Sequence, residues 1–355
     1  MLDNNYWVYT SHWPDDQSSQ NTSKGIGIYK WSSAPGKLEN IAHEDAVGLS
    51  SYLAINHQLA VLYSIDNEHI DSFKIDLTNG TLTPQSRLQV DGRDGCYLSL
   101  SHDNRFLLVA YYSSGNIASY QLADDGSLVS LAHTKQHKGS SINPDSQESA
   151  HPHMIIPVPE SPLILVPDLG TDLIMGYQLD EGGRFQPATN PHTKVEPGHG
   201  PRHVAFHPTQ PFVYVLAELT SRVVGFKLEH TTGHMEHICD LSMLPDDFEA
   251  FTKAADIHIT PDGKYLYASN RGHDSLAIFQ INQADGTLNP VRIMKCGGSW
   301  PRAFAIDPEG SHLLVANKRS NLISVNKIDA ESGLYQELAK TNTASAPQCI
   351  RFIKT

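Results

Sequence analysis

Charged side chains that could bind an anion and move a proton stand at equivalent points of this 355-residue sequence. His153, Arg202 and Arg302 each occur where a predicted apolar strand begins, and Glu218 and Arg271 each end a strand that follows. The planar guanidinium group suits bidentate recognition of a carboxylate or a phosphate. A histidine or a glutamate can take a proton from water. Brought together, these residue types would bind an anionic molecule and support general acid–base chemistry.

Alignment of the repeats through their turns places these residues in two rings of equivalent positions. The first ring, where each inner strand begins, comprises Ser51, Cys96, His153, Arg202, Ala255, Arg302 and Gln348. The second ring, at the end of the next strand, comprises Asn67, Tyr112, Leu169, Glu218, Arg271 and Lys318. Antiparallel neighbours bring the start of one strand beside the end of the next, so both rings should lie at one end of a channel.

The crowding of cations in these rings needs a reason, because like charges repel and the chain carries a net charge of -13. An anionic ligand would supply that reason. The alternative is that Arg202 and Arg302 bond to neighbouring carbonyls and to Glu218, and so tie adjacent repeats together.

The elements that must position these residues are strands in a repeat of ~45 to 55 residues, the length typical of propeller blades. Residues 257–270 and 304–317 align without a gap, each with an apolar strand, a Pro-Asp-Gly-like turn and a second strand. Complete copies cover residues 52–82, 97–128, 154–185, 203–235, 257–288 and 303–334. Residues 6–38 form a seventh copy without a first strand, which residues 347–352 would supply. The sequence thus predicts an all-β, seven-bladed β-propeller, with residues 1–355 in one domain and one helix at 245–253.

The N-terminal residues, the cysteines and the net charge indicate where the protein works and which partners it lacks. Met1 to Asn5 show neither a basic start nor an apolar run, which argues against a signal peptide or a membrane span. The four cysteines have no metal-ligand or disulfide-rich spacing. The acidic net charge disfavours a nucleic-acid partner. We expect a cytoplasmic protein without a membrane partner, and its oligomeric state is left open.

His151 and His153 could be read as metal ligands, because strand alternation would point both side chains the same way. Carboxylate partners are sparse nearby and the rings are already cationic, so we predict no metal and no cofactor. A role for His153 as base or hydrogen-bond donor competes with a structural one.

Several segments resemble the seven-bladed lactonase propellers, a family that includes 6-phosphogluconolactonases and carboxy-muconate lactonizing enzymes. They are Gln147 with residues 151–153, then residues 168–172, 198–203, 218–219, 255–257, 261–263 and 269–272. The Gly-Pro-Arg-His segment at 200–203 and the Asn-Arg-Gly segment at 270–272 are the most specific. Two positions depart from the family pattern, since Tyr111 stands where Asn is usual and Lys318 where Gln is usual.

The resemblance implies a catalytic set of His153, Arg202, Glu218 and Arg271. Substrate-binding roles are expected for four further residues: Arg302, Lys318, His203 and Tyr112. In lactone hydrolysis Glu218 or His153 would accept the proton of the attacking water, and an arginine would stabilise the oxyanion. The leading expectation is hydrolysis of a small anionic sugar lactone, 6-phosphogluconolactone above all. A muconate-type lactonizing enzyme and a non-catalytic binding platform are the alternatives.

Overall fold

A computed structural model describes residues 5–13, 25–44 and 48–355. Met1 to Asn4, on which most of the prediction about a signal peptide depends, lie outside the described residues. Those described form seven four-stranded antiparallel sheets, the blades of a propeller. No helix among the described residues is long and apolar enough to cross a membrane.

The strands of each blade, from the inside outwards, have the following bounds. Blade 1 consists of β28 (Pro347–Lys354), β1 (Asn5–His12), β2 (Ile26–Ser32) and β3 (Lys37–Glu44). Blade 2 consists of β4 (Tyr52–Asn56), β5 (Val61–Ile65), β6 (His69–Ile75) and β7 (Leu82–Gln89). Blade 3 consists of β8 (Gly95–Leu100), β9 (Phe106–Tyr111), β10 (Asn116–Leu122) and β11 (Leu128–Gln136). Blade 4 consists of β12 (Ile156–Pro157), β13 (Leu163–Asp168), β14 (Leu173–Leu179) and β15 (Phe185–Lys194).

The remaining three blades have the same order. Blade 5 consists of β16 (Pro201–Phe206), β17 (Phe212–Ala217), β18 (Arg222–Leu228) and β19 (Met235–Ser242). Blade 6 consists of β20 (Lys253–Ile259), β21 (Tyr265–Arg271), β22 (Ser275–Ile281) and β23 (Leu288–Lys295). Blade 7 consists of β24 (Pro301–Ile306), β25 (His312–Asn317), β26 (Leu322–Ile328) and β27 (Tyr335–Asn342). A 3₁₀ turn, Lys318–Ser320, follows β25.

The chain termini close the ring, as the sequence predicted. β28 pairs antiparallel with β1, and Phe352 lies opposite Val8. Strand β28 also packs against β24 of blade 7 and β4 of blade 2, and the other inner strands contact their neighbours in turn. Because blade 1 takes strands from both ends of the chain, neither end leaves an unpaired inner edge.

The predicted helix at residues 245–253 is wrong. Residues 243–252 form bends and turns, and Lys253 already begins β20. Pro245 could open a helix, but no apolar stripe follows it that a helix could bury. This segment instead leads directly into an inner strand.

A repeated hydrogen bond joins adjacent blades, in addition to the packing of their apolar faces. In four blades a buried tyrosine of the second strand donates its hydroxyl proton to the carbonyl of a turn glycine in the next blade. These pairs are Tyr9 with Gly80, Tyr63 with Gly126, Tyr214 with Gly286 and Tyr267 with Gly333, at 2.7 to 2.8 Å. Each of these glycines has a positive φ, a conformation that most side chains would strain.

Candidate active site

A cavity of about 320 Å³ opens at one end of the central channel. Its lining comprises Trp13, Ser51, Asn67, Asp94, Gly95, Cys96, Tyr112, His153, Glu218, Arg271, Arg302, Lys318 and Gln348. Five of these residues come from each of the two rings drawn from the sequence. The rings therefore do converge at one opening, and the predicted residues His153, Glu218, Arg271, Arg302, Lys318 and Tyr112 meet there.

β-Bulges aim the first ring at this opening. In five inner strands the first-ring residue has no partner in the pairing with the second strand. In blade 5, for example, Pro201 and His203 pair with consecutive residues of β17, and the residue between them is left out. The skipped residues are Cys96, Arg202, Ala255, Arg302 and Gln348, and in blade 6 the skip also includes Asp256. A bulge adds one residue to a strand and redirects its side chain. Two consecutive residues can then face the channel, which regular alternation would forbid.

Glu218 is the centre of a buried ion-pair cluster. Its Oε2 lies 2.8 Å from Nε of Arg202 and 2.9 Å from Nη2 of Arg271, and its Oε1 lies 3.6 Å from Nζ of Lys253. Burial by itself would raise the pKa of Glu218, but the cations, led by Arg271 and Arg202, outweigh it and lower the pKa to about 2. Glu218 is thus a carboxylate that holds arginines in place, and a weak proton acceptor near neutral pH.

The backbone around Glu218 fixes this cluster at the junction of two blades. Glu218 N–H donates to the carbonyl of Gly200 at 2.8 Å, and Ala254 N–H donates to the carbonyl of Glu218 at 3.0 Å. Gly200 has φ +64°, and a Cβ there would come within 2.7 Å of Leu219. Asp172 accepts hydrogen bonds from Gly198 N–H and Gly200 N–H, each at 2.7 Å. The glycines of the 198–203 segment are therefore required by its fold.

Arg302 differs from Arg202 and Arg271 because no described carboxylate pairs with it and no hydrogen bond to its guanidinium is formed within the described part of the chain. Burial and the charges of Arg202 and Arg271 lower its pKa to about 9. A cation held among cations in a desolvated cavity is costly, and a bound anion would remove that cost.

Lys318 lines the cavity from blade 7, and Tyr112 lines it from blade 3. Lys318 is buried at the start of the 3₁₀ turn, and its backbone N–H donates to the carbonyl of Trp300 at 3.0 Å. The ring of Tyr112 stacks on His151 with centroids 4.4 Å apart and meets His153 edge to face at 5.5 Å. Of the two departures from the family pattern, only Lys318 reaches the cavity, because Tyr111 is fully buried and bonds to Tyr120.

His153 lines the cavity with an unsatisfied nitrogen. Its Nδ1 is buried and has no hydrogen-bond partner among the described atoms. Burial, together with the charges of Arg202, His203 and Arg302, lowers the pKa of His153 well below its usual value. The imidazole is therefore neutral at neutral pH and keeps a nitrogen that can accept a proton.

His151, which was weighed as a metal ligand together with His153, has partners for both of its ring nitrogens. His151 Nδ1 donates to the carbonyl of Tyr112 at 2.8 Å, and its Nε2 lies 3.1 Å from Glu148. No group of three or more His, Cys, Asp or Glu side chains that could hold a metal occurs in residues 5–13, 25–44 and 48–355.

Two sequence-predicted residues lie away from the lining. Arg202 is buried behind Glu218, where its Nη1 donates to the carbonyl of Ala255 and to Nε2 of His203 at 3.1 Å. His203 faces a different cavity, further along the channel. The structure does not bring His203 to the predicted substrate site, because it stands one position after the ring residue, where Tyr97 and Met154 also line that other cavity.

Lys253 is a contributor that sequence reasoning missed. It lies opposite Arg271 in the β20–β21 pairing and extends the charge cluster around Glu218. The expectation of a helix through residue 253 concealed this register. Trp13, Asp94 and Gly95 were also not predicted, since they belong to segments outside the two aligned positions.

Comparison with known proteins agrees with this architecture along nearly the whole chain. The family model described as "Lactonase, 7-bladed beta-propeller" matches residues 9–352. The 6-phosphogluconolactonase of Bacillus subtilis is 32% identical over 335 residues, which cover 93% of this chain and 95% of that protein. The 6-phosphogluconolactonase of Formosa agariphila is 31% identical over 324 residues, covering 88% and 91% respectively.

A solved structure gives the same result. The periplasmic gluconolactonase of Pseudomonas aeruginosa superimposes with a TM-score of 0.91 at 28% identity, covering 98% of this chain and 99% of that one. The chain therefore belongs to the seven-bladed β-propeller lactonases and is a lactone-hydrolysing enzyme.

Proposed function

We propose that this enzyme hydrolyses an anionic sugar lactone, 6-phosphogluconolactone, in the cavity lined by His153, Glu218, Arg271 and Arg302. The observation that carries the proposal is Arg302, a half-buried cation of the cavity lining without a described counter-ion. Relatives named 6-phosphogluconolactonase support the substrate class. The substrate phosphate would supply the anion that Arg302 lacks, with Lys318 beside it.

The proposed reaction uses the neutral imidazole of His153 as the base. Water attacks the lactone carbonyl carbon while its proton passes to the unprotonated ring nitrogen of His153. The carbonyl oxygen gains negative charge, which Arg271 stabilises. When the ring C–O bond breaks, His153 returns the proton to the departing ring oxygen. The new carboxylic acid loses its remaining proton to solvent, so the products are a carboxylate and a hydroxyl group on one open chain, with no cofactor required.

Substrate binding would make His153 a better base. Arg202 and Arg302 contribute to its low pKa by electrostatic repulsion of the imidazolium. A phosphate on Arg302 and an oxyanion on Arg271 would oppose that repulsion. The pKa of His153 would then rise towards neutrality in the complex, where proton transfer is most effective.

Glu218 is proposed as a positioning residue. With a pKa of about 2 and two guanidinium groups on one oxygen, it is ill suited to accept a proton. Its carboxylate instead holds Arg202 and Arg271 in fixed positions before substrate arrives, which is what electrostatic stabilisation of an oxyanion requires.

The test is a rate assay with purified protein on 6-phosphogluconolactone and on unphosphorylated gluconolactone, with and without a chelator. We expect faster opening of both lactones, a clear preference in kcat/KM for the phosphorylated one, and no effect of chelator. Arg302→Met should remove the preference, whereas Arg292→Met, on the exposed part of β23, should retain it. Equal kcat/KM for both lactones in the wild type would overturn the substrate assignment.

A further inference from the structure

A second cavity, of about 720 Å³, lies further along the same inner strands. Its lining includes the residues that stand one and three positions after each first-ring residue along the chain. Strand alternation explains this spacing, because every second side chain faces the channel. Those one place further on are Tyr52, Tyr97, Met154, His203 and Asp256. Those three places further on are Ala54, Ser99, Ile156, Ala205, His258 and Arg351.

Small side chains explain why there is room here. Ala54, Ser99 and Ala205 occupy the same level of the channel as Arg351. A methyl or hydroxymethyl group leaves the centre of the channel unfilled, whereas valine or leucine at these positions would occupy it. A volume of this size suits a small molecule.

Among the described residues that line this second cavity, Arg351 is the only lysine or arginine. Its guanidinium lies 4.8 Å over the ring of Tyr52, which stacks on Tyr97 at 4.4 Å. One nitrogen, Nη1, donates to the carbonyl of Ile350 at 2.8 Å. No carboxylate in the described part of the chain forms an ion pair with Arg351.

Asp256 is the acidic residue of this lining, and its oxygens are already occupied. Oδ1 accepts from Nδ1 of His203 and from Ile257 N–H, both at 3.0 Å. Oδ2 accepts from Nε2 of His258 and from Phe304 N–H, both at 3.1 Å. Four donors satisfy this carboxylate, so its hydrogen-bonding capacity is spent without Arg351.

We propose that Arg351 forms a second anion site, separate from the active site, which binds the carboxylate of a small organic acid. The guanidinium would receive the carboxylate through the N–H groups that do not bond to Ile350 or Tyr52, and the rings of Tyr52 and Tyr97 would form one wall. Arg202 and His203, which are buried between the two cavities, separate this site from Glu218. Nothing in lactone hydrolysis requires Arg351.

The test is calorimetric titration with citrate at low ionic strength, where screening of the arginines is weakest. We expect two sites in the wild type, one in Arg351→Met, one in Arg302→Met, and two in the control Arg292→Met. Arg351→Met should keep the wild-type kcat and KM for lactone. Loss of both sites in Arg302→Met, or two sites in Arg351→Met, would overturn the second site.

A second variant, which fills part of the cavity, tests the proposal even if Arg351→Met does not fold. Ala205→Val keeps Arg351 and narrows the channel beside it. We expect its second-site affinity for citrate to fall at least about tenfold while its lactone hydrolysis is unchanged. Lactone hydrolysis reports on the first cavity, and the citrate site that depends on Arg351 reports on the second cavity. Failure of either proposal would therefore be distinguished from failure of the other.

Discussion

The chemistry proposed for His153 depends on its protonation state, which its neighbours set. Burial and nearby cations lower its pKa, so the neutral form persists below pH 6.5, the ordinary value for histidine. We therefore expect kcat/KM for unphosphorylated gluconolactone, which reports on the free enzyme, to stay constant as the pH falls through 6.5. A pH–rate profile checks this, and a loss of activity centred near 6.5 would contradict the assignment.

Replacement of the base should be costly. His153→Asn removes the proton acceptor but keeps a polar group of similar size, so kcat should fall about 10²-fold or more. His192→Asn, the same change on the exposed outer strand β15, should leave kcat unchanged. Steady-state kinetics of both variants decide the matter, and near wild-type kcat in His153→Asn would remove His153 from the mechanism.

Glu218 should affect stability as well as rate. Glu218→Gln leaves Arg202 and Arg271 without their counter-ion, and we expect the free energy of unfolding to fall by about 3 to 5 kcal/mol. The folded pKa is lowered, so this stabilisation is present above the unfolded pKa of ~4.3 and is lost as the pH falls towards about 2.

Urea denaturation of the wild type and Glu218→Gln should therefore show a difference that shrinks between pH 4.5 and pH 2. Glu236→Gln, on the exposed face of β19, is the matched control. A constant difference across this range would show that the ionised carboxylate is not the source of the stability.

At the scale of elements, the inner and outer strands have different tasks. Inner strands carry bulges that direct ring residues into the channel, and the second strands are buried on both faces, as in β9 and β17. Fourth strands such as β7 and β11 are largely exposed. Contacts between blades, including the tyrosine hydroxyls, therefore hold the inner strands in register.

Loss of one such contact should be measurable. Tyr267→Phe leaves the buried carbonyl of Gly333 without its donor, so we expect a loss of about 1 to 3 kcal/mol in the free energy of unfolding. Tyr214→Phe, at the preceding blade junction, should cost a similar amount. Denaturant titration of the double variant should give nearly the sum, since the two contacts share no partner. Unchanged stability in both single variants would contradict a structural role for these hydroxyls.

At the scale of the whole molecule, closure of the ring depends on one strand. Removal of Pro347 to Thr355 deletes β28, exposes the inner edge of β1 and takes away Gln348 from the cavity. We expect a loss of several kcal/mol and a clear fall in melting temperature. Removal of Thr355 alone should have little effect, because it is exposed and contributes only hydrogen bonds to the carbonyl of Asn5. A long deletion that melts at the wild-type temperature would disprove closure by β28.

The sequence by itself determined the architecture because strand periodicity and turn chemistry are local. The Pro-Asp-Gly turn shows this, since Gly263 has φ +74° and Asp262 accepts from Lys264 N–H within the turn. The count of seven blades and the origin of the closing strand follow from repetition. The rings also placed Arg271, Arg302 and Glu218 at one opening, because equivalent positions of a repeat occupy equivalent places around its axis.

Tertiary structure alone decided the roles within those rings. Three cations surround Glu218, whereas Arg302 has no described counter-ion. This difference depends on which side chains approach from neighbouring blades, and no local sequence pattern encodes the distances between them. The outer strands lacked an apolar signal, since most of their residues face solvent. The bulge at Arg202 likewise had no signature in the residue types, and the separate cavity that His203 and Arg351 line was not predicted. Electrostatics and side-chain direction are properties of the assembled ring, and so they appear only once it has closed.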